Sequence, residues 1–364
     1  MIVPVHVLQE GCIVKSDVYA AASIPLLKGH TVITERHLSF LRAFFIKEVD
    51  VEHLLADGQI FSPALSSTMN KEESLPAAES SFFDMYTEAV QLFKKEFERW
   101  QAGMPVSVHE LRTIMLPLFE KVIKDPEHLM SLHQFSHKCD YQYHHSVSVG
   151  LLSASLGYKL QYESGDWIQI GLAGLLSDIG MAKIASTSLN KGGPLTAFEF
   201  EDVKKHPIYS YKMVKDSTGL TAAAKLAILQ HHERTDRQGY PMAIGAEKLH
   251  PYSEIIAVAD VYHAMSSERP HRAKHSIYYI LEEMRRQNFG PLNIPAVLAL
   301  TEQLLQFTVG ASVRLNTEEE GEIIFVTPQD LTKPMVKLYE SGEIINLNYQ
   351  THIYIEDILS KKKS

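Results

Sequence analysis

Five segments of this 364-residue chain carry His or Asp where helical spacing could bring them to one centre: YHHSVSVG (His145), LLSDIG (Asp178), KKHPIYS (His206), LQHHERTDRQGYP (His231, His232) and IIAVADVYHAM (Asp260). Imidazole nitrogens and carboxylate oxygens are the donor types from which transition-metal sites are built. Twelve of the 18 histidines lie between residues 128 and 275, which directs attention to metal chemistry in that stretch. His145 shares its helical stripe with Val149, Leu152, Leu156 and Leu160. Asp178 follows the apolar row Ile168, Leu172, Leu175, and Asp260 lies one turn after Ile256 and one before Ala264. A carboxylate on a core-facing stripe needs a partner, because an unpaired buried charge costs several kcal/mol. A metal ion would supply it. Each position alone has a plainer reading, a hydrogen-bonded core histidine or an Asp260 paired with Arg269, but those readings would have to hold separately for all six residues.

The elements that must position these groups follow from periodicity. From 140 to 308 the chain reads as amphipathic helices with short connections, and Thr196 followed by Glu199 forms a capping box that opens the helix leading to His206. Residues 82–135 show helical spacing too, with Phe83, Tyr86, Val90 and Phe93 on one face and Leu111, Met115, Leu118 and Val122 on another. The first 60 residues alternate apolar and polar character (Ile2 to Val7, Cys12 to Val18, Ile24 to Ile33), with a helical pattern from Glu35 to Ile46. After Gly310 four strands are expected, at Ser312 to Leu315, Gly321 to Val326, Pro334 to Tyr339 and His352 to Ile355. The expected organisation is a small β-rich module (1–61), a Ser/Glu/Pro-rich linker (62–81), a helical connector (82–139), a helical domain (140–310) and a β-strand appendage (311–364). The fold class is mainly α.

Composition narrows the function classes. A net charge of −9 with no basic stripe beyond Lys361, Lys362 and Lys363 argues against a DNA or RNA binder. The two cysteines, Cys12 and Cys139, are too few for a disulfide framework and fit a reducing compartment. No apolar run approaches the roughly 18 residues that span a bilayer, and the first residues lack a signal-peptide pattern. The expected location is the cytoplasm.

The series HSVSVG, SDIG, NKGGPLTAFEFEDVKKHP, HHERTDRQGYP and VADVYHAMSSERPHR resembles the HD-GYP family, HD-type metal-dependent phosphohydrolases known as bacterial cyclic di-GMP phosphodiesterases. The resemblance runs from about 140 to 305. It implies an HD-type helical bundle around two or three metal ions, often iron or manganese. Carried over residue by residue, it makes His145, Asp178, His206, His231, His232 and Asp260 the metal ligands, and Gly239, Tyr240 and Pro241 the Gly-Tyr-Pro signature. It further implies that the Asp of the His-Asp doublet, here Asp178, bridges two metals, and that a hydroxide held between them attacks the phosphorus of a cyclic dinucleotide.

The departures from the family pattern bear on activity. The doublet reads Ser177-Asp178, so the family's His is missing, and a serine hydroxyl is a poor substitute for imidazole. Where the family carries a phosphate-holding lysine this chain has Met181, with Lys183 two positions on. Arg237 replaces a glycine, and Tyr141 stands where three-metal members have Glu, so one or two ions are expected rather than three. On the family picture one metal keeps three protein ligands, His145, Asp178 and Asp260, while its neighbour keeps a full set. His263, at i+3 from Asp260, either supplies the missing imidazole or, as we expect, stands outside the ligand set. Lys183, Tyr240 and the basic run Arg269, His271, Arg272, Lys274 could receive substrate phosphates, the run being equally readable as a solvated loop. The leading expectation is a cyclic di-GMP phosphodiesterase with reduced activity. The alternative is an inactive module that binds a cyclic dinucleotide or a signalling partner protein. Helices in 82–135 could also pair two copies or pack within one chain.

Overall fold

A computed structural model describes residues 1–19, 25–34, 37–38, 41, 46, 48–56, 61, 81–132, 135, 140–184, 193, 196–267, 275–306, 308–327, 330–350 and 352–359. Most of the Glu35 to Ile46 pattern, the 62–80 segment, Cys139, Arg269, His271, Arg272, Lys274 and the terminal lysines lie outside them. The chain divides into two compact units, Met1–Thr87 and Glu88–Ser364.

The first unit carries two small antiparallel pairs, β1 (Ile2–Pro4) with β4 (Glu48–Asp50) and β2 (Val18–Tyr19) with β3 (Pro25–Leu27). Its core gathers Val3, Val14, Ile33, Leu41, Val49 and Cys12. The strands are shorter than the alternation suggests, because the chain turns into a 3-10 turn at Val5–Val7 and Ile13 and Val14 form only isolated bridges.

The second unit is mainly helical. The unit boundary falls within α1 (Phe82–Gln101); α2 (Val108–Lys124), α3 (Tyr141–Lys159) and α4 (Ser164–Leu176) follow. The periodic positions Leu111, Met115, Leu118 and Val122 of α2 are all buried. In α3, by contrast, every residue from His145 to Gly157 is buried, so a single inner stripe describes it poorly. Its small residues explain this: Ser153, Ala154 and Gly157 let neighbours close in on several sides, and Gly150, Gly171 and Gly174 remove side chains where α3 meets α4. A Cβ on Gly171 would stand 2.7 Å from the Cβ of Ala154 and 2.8 Å from the Phe119 ring.

Five further helices complete the bundle: α5 (Ala197–Val203), α6 (His206–Val214), α7 (Ala222–Gln230), α8 (Pro251–Ser266) and α9 (Ile277–Arg285), with α10 (Ile294–Leu305) leading out of it. The Thr196/Glu199 capping box is present, but the helix it opens stops at Val203 and α6 starts anew at His206. Pro207 has no N–H to bond the Val203 carbonyl, which favours a break there.

After α10 the chain forms an antiparallel five-stranded sheet in the order β8 (Ile344–Asn346), β7 (Asp330–Leu338), β6 (Glu320–Thr327), β5 (Ser312–Leu315), β9 (Ile355–Leu359). The three residues of β8 are too few to show alternation in the sequence. The last strand begins at Ile355 rather than His352, because the Asn316 side chain takes the backbone of His352 and Tyr354. The sheet is pinned to α9 by a two-armed Arg285–Asp330 bridge (3.1 and 3.2 Å) and by the Thr332 hydroxyl donating to Glu282.

The α3–α4 contact predicts opposite outcomes at two glycines of α4. Gly171→Val overpacks the contact and should lower unfolding free energy by roughly 1–3 kcal/mol. Gly165→Ala meets nothing within 4 Å and should be neutral or stabilising by up to about 1 kcal/mol. Urea unfolding of the two variants measures both.

Candidate metal centre

Each of the six sequence-derived residues reaches the centre through a local feature of its element. Asp178 sits where α4 has ended and a 3-10 turn, Ile179–Lys183, begins. Gly180 in that turn packs directly on α6: a Cβ there would overlap the His206 carbonyl and the backbone of Ser210. The Ser210 hydroxyl ties the two segments, donating to the Ser177 carbonyl (2.6 Å) and accepting from the Gly180 N–H (2.8 Å). The first turn of α6 is thereby fixed against Asp178.

His206 is oriented by the proline after it. The absent N–H of Pro207 would have bonded the Val203 carbonyl, and that oxygen instead lies 2.8 Å from His206 Nδ1. A carbonyl only accepts, so Nδ1 carries the ring proton and Nε2 is bare in the neutral ring. His231 repeats the arrangement just beyond the end of α7: its Nδ1 is 2.8 Å from the Ile228 carbonyl, an acceptor freed by the helix terminus. The two bare Nε2 atoms lie 3.2 Å apart, and Asp178 Oδ1 is 3.1 Å from one and 3.3 Å from the other.

That oxygen is buried and receives no hydrogen bond. Three electron-rich atoms thus converge with no proton among them, unless a ring takes up a second one. Burial alone would raise the Asp178 carboxyl; once one of the rings has taken up that second proton, the imidazoles of His206, His231 and His145 outweigh burial and hold the group well below the usual carboxylate range. The donor set therefore fits a cation.

A second group shares the other oxygen of Asp178. His145 Nε2 lies 3.6 Å from Asp178 Oδ2 and 3.0 Å from Asp260 Oδ1. Asp260 Oδ2 is 3.8 Å from His232 Nδ1, so Asp260 meets imidazoles within the described residues. Burial would raise the Asp260 carboxyl as well, and the hydrogen bond with His145 outweighs it and holds the group low. Burial, with the neighbouring His231, pushes His232 well below the ordinary imidazole value, so that ring is neutral. Two sets of potential ligands result: Asp178, His206, His231 and His232 in one, His145, Asp178 and Asp260 in the other.

The remaining sequence-derived residues divide. Tyr240 joins the centre, its ring stacked on His232 at 4.6 Å between centroids. Burial, with Asp260 and Asp178 nearby, raises its hydroxyl far above the usual phenol value, so it is a neutral donor. Lys183 is engaged elsewhere: its ammonium donates to the Trp100 carbonyl at the end of α1 (2.6 Å). The Ser177 hydroxyl turns back to the Gly174 carbonyl (2.9 Å) and is spent within its own helix. Arg269 and Arg272 fall outside the described residues.

Sequence reasoning passed over one residue that shapes the site, Glu233, and placed two others, Tyr141 and His263, outside the ligand set. Glu233, 2% exposed, accepts the backbone N–H groups of Met242 (2.6 Å) and Ile244 (3.1 Å) and so braces the loop that carries Tyr240. Its signal was its place beside two histidines in HHER, where a buried carboxylate must find donors. Tyr141 and His263 both reach His145 Nδ1, at 3.1 and 3.0 Å. In the same loop Arg237 adopts φ +65°, the left-handed region that favours the glycine it replaces.

Comparison with known proteins places this geometry. A family profile described as "HD domain" matches residues 119–291. Residues 119–291 of the chain thus belong to an HD domain. A cyclic di-GMP phosphodiesterase of Pseudomonas aeruginosa is 30% identical over 246 residues, covering 68% of this chain and 59% of the relative. A 3′3′-cGAMP-specific phosphodiesterase of Vibrio cholerae is 31% identical over 136 residues, 37% of this chain and 29% of the relative. The chain thus spans less than two thirds of the length of either. Among solved structures, an HDG"Y"P protein from Bdellovibrio bacteriovorus aligns over 82% of this chain and 97% of its own, with TM-score 0.53 and 14% identity, a likeness of fold. The mainly helical HD fold with its C-terminal sheet agrees with the expectation from sequence. No helix of the described residues is long and apolar enough to cross a membrane.

Removing the Glu233 carboxylate tests the bracing. Glu233→Ala should cost roughly 2–3 kcal/mol, the range for lost bonds to a charged group. Hydrogen exchange should quicken at Met242 and Ile244 ahead of the α3–α4 core. Unchanged protection there would show that the loop holds itself.

Proposed function

We propose that the chain is a metal-dependent phosphodiesterase acting on cyclic dinucleotides, with cyclic di-GMP or 3′3′-cGAMP as substrate class. The observation that carries this reading is the shared Asp178 carboxylate, whose two oxygens face two separate imidazole groups at 3.1–3.6 Å. One group offers His206, His231 and Asp178, with His232 beside them; the other offers His145, Asp178 and Asp260. Divalent ions of the iron or manganese type, bound there, would neutralise a phosphodiester and make water a competent nucleophile near neutral pH.

The protein's own contribution is positional. Asp178 fixes the spacing of the two groups, and the Val203 and Ile228 carbonyls keep His206 and His231 turned inward. Tyr240, neutral and stacked on His232, presents a hydroxyl on the flank of the site where a leaving oxygen or a phosphate could accept from it. The first group is complete without Ser177. The second holds three side chains, and Ser177 adds nothing to it because its hydroxyl is bonded to Gly174. Activity below that of a relative that keeps the doublet histidine follows. Arg269 and Arg272 are the basic residues we assign to the outer phosphate, and Lys183 would have to leave Trp100 to assist.

The three-ligand group also favours a second reading, a module that binds a cyclic dinucleotide without hydrolysing it. Elemental analysis of anaerobically purified protein, paired with a cyclic di-GMP hydrolysis assay, separates the two. We expect at least one transition ion per chain and turnover that Asp178→Ala lowers more than about 100-fold, beyond the effect of an outer-sphere change. Ser177→His should raise turnover. Nucleotide binding with no turnover in the natural chain, and turnover appearing only in Ser177→His, would establish the binding module instead.

Metal should also show in stability. At a free concentration about 100 times Kd an ion bound only by the folded state adds about 2.7 kcal/mol, which is roughly 5–10 °C in Tm for a domain of this size. Adding Mn2+ to chelator-treated protein should produce that rise, and Asp178→Ala should abolish it.

A further inference from the structure

Asp178 heads the 3-10 turn Ile179–Lys183, so its place in the centre depends on where that turn is held. A 3-10 run of this length is weakly determined by its own hydrogen bonds, whose geometry is poorer than that of an α-helix. The bonds inside it run from the Met181 N–H to the Asp178 carbonyl (2.9 Å) and from the Ile184 N–H to the Met181 carbonyl (3.0 Å). They set its local shape but not its position against the bundle. At the upstream end Ser210 of α6 sets that position, bonded to the Ser177 carbonyl and the Gly180 N–H. A tie at one end leaves the other free to pivot, and Asp178 Oδ1 has to stay within 3.1–3.3 Å of two imidazole nitrogens.

The downstream end is tied by Lys183, whose ammonium donates to the Trp100 carbonyl (2.6 Å), one residue before the end of α1. Lys183 is an exposed residue, and exposed ion pairs contribute little, but its partner here is a backbone carbonyl on a fixed post. The helix stops at Gln101, and Gly103, at φ +90°, turns the chain so that its own N–H also reaches the Trp100 carbonyl (3.0 Å). The Trp100 side chain is fully buried and packs edge-on against Phe93 and Phe97, at 5.4 and 6.2 Å between centroids. Phe97 in turn packs edge-on against Tyr143 of α3 (5.5 Å), two residues before His145. A carbonyl in the last turn of a helix lacks an intrahelical donor and lies at the negative end of the dipole, so an ammonium suits it. While this bond stands, Lys183 has no ammonium to offer a phosphate.

We propose that Lys183 is a positioning residue rather than a phosphate ligand: it clamps the downstream end of the Asp178 turn to the end of α1 and so keeps the Asp178 carboxylate where both ligand groups share it, a role that rests on the metal-centre reading of Asp178. Ser210 and Lys183 then hold the turn from two directions, one against α6 and one against α1. The post that Lys183 grips is braced, through Phe97 and Tyr143, on the same helix that carries His145. Both carboxylate-bearing turn and imidazole-bearing helix are thereby referred to one aromatic cluster.

Lys183→Met and Lys183→Arg in the full chain test this, with circular dichroism confirming the fold. In chelator-treated protein, hydrogen exchange at Gly180 and Met181 should quicken roughly 10-fold in Lys183→Met and stay near the natural rate in Lys183→Arg, which keeps a cationic donor. The α3–α4 core should exchange as before in both. Mn2+ should bind Lys183→Met roughly 10-fold more weakly than the natural chain, and Lys183→Arg within about threefold of it. In cyclic di-GMP hydrolysis the loss in Lys183→Met should fall on kcat, with KM within about twofold. A raised KM with unchanged Mn2+ affinity would overturn the proposal and return Lys183 to the substrate. Unchanged exchange at Gly180 and Met181 would also defeat it, as would faster exchange with equal Mn2+ affinity. A natural chain that binds no Mn2+ at all would overturn the metal-centre reading itself, and this role of Lys183 with it.

Discussion

Asp178 Oδ1 stands between two imidazole nitrogens that do not donate to it, and the rest of the site is organised around keeping those three atoms together. Left alone, an anion and two lone pairs at 3.1–3.3 Å would separate or recruit protons. The fold prevents separation with features that have no other evident use: a proline that frees the Val203 carbonyl, a helix end that frees the Ile228 carbonyl, a glycine that lets α6 approach, and a serine that ties α6 to the Asp178 turn. Such local conflicts are retained where function needs them and are offset by packing elsewhere. Here the offset comes from the dense α3–α4 contact, whose residues are almost entirely buried.

The two halves of the centre are supported differently, and this difference has chemical consequences. The His206 and His231 half is fixed by backbone carbonyls, which no side-chain rotation can withdraw. The His145 half is fixed by side chains, Tyr141, His263 and Asp260, of which the Tyr141 hydroxyl and the His263 ring can either donate or accept. Ser177, in the place where the family has its name-giving histidine, turns away to Gly174. On the proposed reading the half with more imidazoles and fixed tautomers would be the tighter site for an ion, and the other half the adjustable one. A chain that lost one imidazole from the adjustable half keeps the part of the site that costs most to rebuild.

Much of this was legible before any coordinates. His145, Asp178 and Asp260 were visible because each carried a chemical type unusual for its apolar stripe, His206, His231 and His232 through the motifs that carry the family resemblance, and the capping box at Thr196 marked its helix correctly. What escaped were features that depend on approach rather than on pattern. Amphipathic spacing assigns α3 one buried face, whereas Ser, Ala and Gly along it allow burial on all sides. The break at Lys204-Lys205 was written in His206-Pro207, yet its use, freeing Val203 for His206, requires knowing that the ring folds back. Glu233 and His263 drew little weight because a lone polar residue usually faces water. The short β8 and the late start of β9 reflect side-chain capture by Asn316 and a strand of three residues, neither of which leaves a period to detect.

The graded exposure of the centre also gives it a direction. His206 and His231 are 1% and 0% exposed, while Asp178 and Asp260 reach 13% and His232 17%. Solvent therefore meets the centre from the flank of Asp260, His232 and Tyr240 rather than from the His206 side. The loop braced by Glu233 forms that flank, and Gly239 lets it lie flat, since a Cβ there would collide with the backbone of Glu233 and Arg234. The Gly-Tyr-Pro segment is thus placed at the mouth of the site, where it can shape what enters. Ligation falls to residues deeper in the bundle, and this division of labour explains why one buried carboxylate, Glu233, holds two backbone amides of a loop that ligates nothing itself.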